Sequence, residues 1–118
     1  MPDLLNVKQG QEYKGRVQIA SADGAITIKS GVCVVTKGTA AALTLAAPTA
    51  GADDGKRLLI VSTTAAAHTV TQTTPGINNG STASDVGTFG AAIGNNIELV
   101  AYNGIWYTAG TPRGVTLA

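Results

Sequence analysis

The chain has few of the residues from which most catalytic and metal sites are built. Its 118 residues include one cysteine, one histidine and seven acidic residues. A single cysteine excludes an intrachain disulfide, and a metal site needs several histidine, cysteine or carboxylate ligands close together. We therefore interpret His68 and Cys33 as structural residues, and we expect no enzyme activity, no cofactor and no metal.

Charge is also scarce. Charged residues make up 13% of the chain and the formal net charge is +1, whereas about a quarter of an ordinary globular domain is charged. The eight lysines and arginines are scattered, which argues against a nucleic-acid partner. A mean hydropathy of +0.18 argues against disorder. A surface with so little charge favours association with other protein.

Targeting and membrane signals are missing from the sequence as well. The first residues, Met1-Pro2-Asp3, lack the basic and apolar regions of a signal peptide. The longest apolar stretch, 40–47, is too short to span a bilayer. We expect a protein that is made in the cytoplasm and has no membrane partner.

Turn signals and short apolar runs are abundant. Four Asx-Gly pairs punctuate the chain, namely Asp23-Gly24, Asp54-Gly55, Asn79-Gly80 and Asn103-Gly104, and each favours a turn. Between them lie runs with strand character, at 25–29, 32–36, 42–46, 57–63, 68–73, 96–102, 105–108 and 114–118. Short strands at about ten-residue spacing predict an all-β fold, a compact sandwich or barrel-like domain of about seven to nine strands.

The clearest local prediction is a hairpin in VAYNGIWYT, residues 100–108. Asn103-Gly104 suits a two-residue type I′ turn, because both positions need positive φ. The predicted pairing places Val100, Tyr102, Ile105 and Tyr107 on one face and Leu99, Ala101, Trp106 and Thr108 on the other. Neither face is polar, so the hairpin needs cover on both sides. The runs 32–36 and 57–63 are likewise apolar on both faces.

Two other segments have less regular patterns. The stretch 73–94 is too long for a structureless loop, so we expect an ordered surface loop with a short strand near 86–89. Residues 1–20 mix apolar residues with charge and glycine, which suggests an extended N-terminal arm. The alternative is that 12–20 is the first strand. We therefore divide the chain into 1–20, an arm or first strand, and 21–118, a single β domain.

Each chemically distinctive group also has an ordinary structural explanation. Asp53 and Asp54 precede a glycine and fit a turn better than a pair of catalytic carboxylates. The aromatic residues Tyr102, Trp106 and Tyr107 are more typical of a core or an interface than of a sugar-binding platform. The glycine-rich stretch 87–94 lacks the Lys-Ser/Thr of a phosphate-binding loop.

Two long segments, AALTLAAPTAGADDGKRLLIVSTTAAAHTVT (41–71) and GSTASDVGTFGAAIGNNIELVAYNGIWY (80–107), resemble a known family. The family consists of small structural proteins of tailed bacteriophages that decorate the head and are encoded near the major capsid gene. The resemblance rests on Leu43, Leu45, Pro48, Thr49, Gly51, Asp54, Gly55, Ala67, His68, Thr69, Val70, Asn103, Gly104, Trp106 and Tyr107. Similar modules occur in phage fibres and other appendages.

The resemblance implies a capsid decoration, or cement, protein on the outer surface of the virion, made in the host cytoplasm. Its partners would be the major capsid protein and itself, as a homotrimer. The alternative is a trimeric fibre or appendage module that binds a host receptor or glycan. The candidate contact residues for the capsid or a neighbouring subunit are Leu4, Leu5, Val7, Tyr13, Arg16, Tyr102, Ile105 and Tyr107.

Overall fold

The computed structural model describes residues 16–118, which form ten β-strands and two 3₁₀ turns. The strands are β1 Val17–Ala20, β2 Gly24–Ile26, β3 Gly31–Val35, β4 Ala42–Leu45, β5 Arg57–Ser62, β6 Thr69–Thr71, β7 Val86–Phe89, β8 Asn96–Tyr102, β9 Ile105–Thr108 and β10 Val115–Leu117, and the 3₁₀ turns are Ile77–Asn79 and Ser81–Ala83. The all-β prediction is confirmed. There are ten strands rather than seven to nine, because β1 and β7 join the sheets beside the eight predicted runs.

The strands form two mixed five-stranded sheets. Sheet I has the order β1-β3-β5-β8-β9, and sheet II has the order β10-β7-β6-β4-β2. Residues 17–71 alternate between the sheets, so that β1, β3 and β5 are parallel neighbours in sheet I while β2, β4 and β6 are parallel neighbours in sheet II. The later strands extend both sheets with antiparallel pairs. The result is a β-sandwich. Its parallel part consists of three successive strand pairs, β1–β2, β3–β4 and β5–β6, each of which places one strand in each sheet.

The core fills the space between the sheets with one face of each strand. Its buried members include Cys33, Val35, Leu58, Ile60, Leu99 and Trp106 from sheet I, and Leu43, Val70 and Phe89 from sheet II. The Trp106 indole N–H, which would be costly to bury unpaired, donates to the Ala46 backbone oxygen at 3.0 Å. The core thus takes the Leu99–Ala101–Trp106 face of the hairpin.

The loop between β4 and β5 fixes the tip of the hairpin. Asn103 and Gly104 have φ values of 51° and 82°, as a type I′ turn requires. The Asn103 backbone N–H donates to Asp54 Oδ1 at 2.8 Å. Asp53 accepts from the Thr49 N–H at 2.7 Å and from Lys56 Nζ at 2.8 Å. The lysine and this N–H hold the pKa of Asp53 at about 2. Both aspartates accept backbone N–H groups within or beside the loop, so they are turn residues, as predicted.

The long segment 73–94 is an ordered loop with β7 near its end, as expected. Its start is held by Gln72, whose side chain donates to the Thr74 oxygen at 2.9 Å and accepts from the Gly76 N–H at 2.8 Å. Asn78 Oδ1 accepts from the Thr108 backbone N–H at 2.9 Å. The loop therefore satisfies part of the edge of β9, which would otherwise be free to pair with another chain.

Candidate interaction surface

The outer face of sheet I carries an array of branched aliphatic side chains. Successive residues of a strand point to opposite faces, and every second residue of β3 and β5 is buried in the core. The residues between them, with their neighbours on β1, point outward in two rows of three across the parallel strands. We call this set the aliphatic patch: Val17, Val32 and Leu59 in one row, and Ile19, Val34 and Val61 in the other.

The patch is open to solvent at its β1 side. Val17 and Ile19 are 59% and 58% exposed, and the four residues on β3 and β5 are half-buried. Parallel strands are normally covered on both faces. The ten strands are all used in the two sheets, so residues 16–118 supply no third layer of strands over this face.

The hairpin β8–β9 lies at the edge of sheet I opposite β1 and continues the same outer face. Val100, Tyr102, Ile105 and Tyr107, which we call the hairpin patch, lie outward as predicted, in the paired positions Val100–Tyr107 and Tyr102–Ile105. Tyr102 is 62% exposed, and the other three are half-buried. The structure therefore brings together three of the predicted contact residues.

One ion pair lies between the two patches. Arg57 Nη1 and Glu98 Oε1 are 3.8 Å apart, and both side chains are well exposed. Solvent screens such a pair, so it contributes little to stability. Its importance for recognition is that this region of the face carries one charge of each sign and no net charge.

The outer face of sheet II differs in chemistry. It presents hydroxyl-bearing residues, namely Thr44, Thr69, Thr71, Thr88 and Thr116. A groove of about 410 Å³ lies beside it, lined by residues 25–26, 44–46 and 71–74, and none of those residues is ionisable. The two outer faces thus offer a matched comparison, one aliphatic and one uncharged but polar.

Among residues 16–118, the strand at the border of the aliphatic patch, β1, pairs with a neighbouring strand along one edge only. The Arg16 and Ala20 oxygens accept from β3 and from the residue after it, at 2.8 and 2.9 Å. Because alternate residues of a strand direct their backbone groups to opposite sides, the N–H and C=O groups of Val17 and Ile19 point away from β3. An exposed edge with apolar side chains is a template for association.

The edge of β2, on the other sheet, is partly closed by contrast. Gln18 Oε1 accepts from the Thr27 N–H at 2.7 Å, and its Nε2 donates to the Ala25 oxygen at 3.1 Å. Gln18 therefore satisfies backbone groups beside β2 that would otherwise be available to a partner.

The remaining predicted contact residues belong to the N-terminal segment. Arg16 is exposed and directly precedes β1. Leu4, Leu5, Val7 and Tyr13 lie outside the described residues. β1 itself, residues 17–20, falls within the range assigned to an arm or first strand. The aliphatic patch was not among the predicted contacts, although the two-sided apolar runs 32–36 and 57–63 were its signal in the sequence.

His68 is a buried structural residue. Its Nδ1 accepts from the Ala41 N–H at 3.0 Å, and its Nε2 is 2.9 Å from Thr64 Oγ1. The Thr64 hydroxyl donates its hydrogen to the Lys37 oxygen at 2.7 Å. Its oxygen can therefore accept the hydrogen on Nε2, so the imidazole is neutral, with a hydrogen on Nε2 and none on Nδ1. Burial, and to a smaller degree Lys37, lowers the pKa of His68. The ring links β6 to the chain before β4.

Cys33 is fully buried, and burial raises the pKa of its thiol to about 11. A reactive cysteine needs an accessible thiolate, so this side chain acts as a small core residue. Residues 16–118 contain no cluster of three or more histidine, cysteine or acidic side chains that could hold a metal ion.

Within the described range, neither of the helical segments is long or apolar enough to cross a membrane.

The chain was also compared with known proteins at three levels. No protein-family model, no curated protein and no solved structure matched it.

Proposed function

We propose that the protein is a non-enzymatic structural component of a bacteriophage virion, a homotrimeric decoration protein that binds the outside of the head. The observation that carries the proposal is the broad outer face of sheet I, where the aliphatic and hairpin patches lie side by side on a rigid β-sandwich. The resemblance of residues 41–71 and 80–107 to phage head proteins supports the same role. Its partners are the major capsid protein and further copies of itself.

The mechanism is the addition of buried surface across the seams between capsid subunits. The capsid contact comes from the hairpin patch, at Tyr102, Ile105 and Tyr107, together with the N-terminal segment up to Arg16. A specific interface buries about 1,600 Å² in total. A trimer engages three sites at once, so a modest affinity at each site gives strong retention on the shell. Separating two capsid subunits then requires breaking these contacts too.

The test is binding to capsids that lack the protein. We expect wild-type protein to co-sediment with such capsids and to raise the temperature at which they release DNA. Replacing Tyr102 and Ile105 together with alanine should weaken binding at least tenfold. The matched control replaces Thr44 and Thr69, on the outer face of sheet II, with alanine and should bind like wild type. Equal binding by the hairpin variant would refute the assigned contact, and no binding by wild type would refute the decoration role.

The second candidate is a fibre or appendage module that binds a host receptor or glycan. The observation in its favour is Tyr102, an aromatic side chain that is 62% exposed beside the hairpin turn. Aromatic rings at such positions can stack on sugars. Binding to host cells or isolated surface glycans, abolished by Tyr102→Ala and accompanied by no binding to capsids, would favour this candidate over decoration.

A further inference from the structure

We infer that residues 1–15 of the same chain cover the aliphatic patch. The occupant of this part of the outer face of sheet I is then a segment of the molecule itself, whether or not the protein decorates a capsid. One side of the segment contacts the patch. Its other side remains for the capsid contact proposed above.

The segment enters the β-sandwich at the border of the patch. Arg16 directly precedes β1, and its backbone oxygen accepts from the Val32 N–H at 2.8 Å. Val17, the next residue, is a member of the patch and pairs with Val32. Parallel strands are normally covered on both faces. The chain before Arg16 therefore ends beside the one set of parallel strands whose outer side chains are aliphatic.

The segment is long enough to cross the whole patch. Neighbouring strands lie about 4.8 Å apart and alternate residues of a strand about 6.7 Å apart, so the patch measures about 10 by 7 Å between Cα atoms. The stretch from Leu5 to Arg16 spans up to about 36 Å when it is extended. The apolar residues near the start of the chain can therefore reach every member of the patch, even after the chain reverses direction.

The sequence of the segment has an apolar side and a charged side. Between residues 4 and 15, the large apolar residues at odd positions are Leu5, Val7 and Tyr13, and Leu4 is the exception at an even position. Every charged residue in this range falls at an even position, namely Lys8, Glu12 and Lys14. Because successive residues of an extended chain point to opposite sides, one side can lie on the patch while the charges stay in water. This alternation is typical of a strand covered on one face.

Tethering favours this segment over a separate molecule. A binding element held by a short linker has an effective concentration of about a millimolar. A free partner must reach that concentration and also lose translational and rotational freedom on binding. The patch is aliphatic, so it selects a partner by apolar area, which the odd-numbered side of the segment supplies. The outer face of sheet II, with its row of threonines, offers less apolar area to the same side chains.

Methyl NMR spectroscopy of the full-length protein tests the contact directly. We expect nuclear Overhauser effects from the methyl groups of Leu5 and Val7 to those of Val32, Val34 and Leu59, because such effects arise only between groups in close proximity. A sample that mixes differently labelled copies separates contacts within one chain from contacts between copies. The inference is overturned if the segment makes no contact with the patch, or if the contacts occur only between copies.

A matched pair of substitutions tests which side of the segment faces the patch. Leu5→Glu places a carboxylate on the side assigned to the patch, and Asn6→Glu places the same group on the opposite side, one residue away. Leu5→Glu should abolish the contacts of Val7 with the patch and raise the fluorescence of a dye that binds exposed apolar surface severalfold. Asn6→Glu should match wild type in both measurements. Both variants should keep the wild-type fluorescence of Trp106, and equal effects of the two substitutions would refute the assigned side.

The NMR experiment also distinguishes this inference from the decoration role. If the methyl groups of the patch respond only when capsids are added and never contact the segment, the capsid covers the patch, so the inference fails while the decoration role stands. If the segment contacts the patch within one chain but the protein never binds capsids, the inference stands and the decoration role fails.

Discussion

Acidification should destabilise this protein through His68 in a pH range where its carboxylates are still ionised. The imidazole is fully buried and uses Nδ1 as an acceptor for the Ala41 N–H at 3.0 Å. Protonation places a hydrogen on Nδ1, facing that N–H. The buried amide then loses its acceptor, which costs about 1–3 kcal/mol, and a charge is left in the core beside Phe89.

The direction and the size of this pH effect on stability follow from the linkage between proton binding and folding. The pKa of His68 is lowered in the folded protein, so the unfolded chain, with an ordinary histidine pKa of about 6.5, binds the proton more readily. The stability is present above that value and is lost as the pH falls below it, by at most about 1.4 kcal/mol per pH unit for one proton. The loss ends once the folded protein also binds the proton. Asp53, with its pKa of about 2, contributes a separate loss at lower pH, as the pH falls through the range of unfolded carboxylates.

Urea unfolding at fixed protein concentration, followed by Trp106 fluorescence at intervals between pH 7.5 and 5, measures this effect. The control is His68→Gln, which is less stable at neutral pH but has no imidazole to titrate, so its stability should be nearly flat over the same range. If wild type and His68→Gln show parallel pH profiles, the assigned role of the histidine is refuted.

Three further predictions concern the backbone and core. Gly31→Ala should lower the free energy of unfolding by more than about 1 kcal/mol, because φ at Gly31 is +102° and the added Cβ would meet a backbone oxygen. The control is Gly38→Ala, where the space is open, and it should change the free energy of unfolding by no more than about 0.5 kcal/mol. Equal effects of the two substitutions would contradict the argument. Trp106→Phe should lower the free energy of unfolding by about 1–3 kcal/mol, measured by urea unfolding followed by circular dichroism, since the smaller ring leaves a void in the core and loses the hydrogen bond to the Ala46 oxygen, and a negligible change would contradict this role. Cys33 should resist a thiol reagent at pH 8 until the protein unfolds, and rapid labelling of native protein would refute its burial.

The hairpin is the part of the fold that could be predicted most completely from the sequence. Its strands, 96–102 and 105–108, its turn at Asn103-Gly104 and the division of its side chains between two faces all agree with the structure. Such features depend on residues within a few positions of one another, because the turn fixes the register and the strand period then fixes the faces. The short strand at 86–89 and the turn roles of Asp53 and Asp54 were also predictable for local reasons.

The parallel arrangement of the first six strands could not be predicted in this way. Val17 lies beside Val32, 15 residues later, and Val32 lies beside Leu59, 27 residues later. These unequal intervals leave no repeat in the sequence. Parallel strands also need long connections, so no tight turn marks which strands are neighbours.

Composition and strand periodicity are enough to predict an all-β chain in which β3, β5 and the hairpin are apolar on both faces and charge is too scarce to cover them. The folded structure was needed to establish which face of each strand is buried and which strands are neighbours, and it places six separate aliphatic residues in one patch that is bordered by β1, an edge strand among the described residues. The physical reason is the distance along the sequence between the residues that determine each feature. Turns and strand periodicity are set by neighbours in the chain, whereas lateral pairing is set by contacts between residues far apart in the sequence, and a surface patch exists only after that pairing is made.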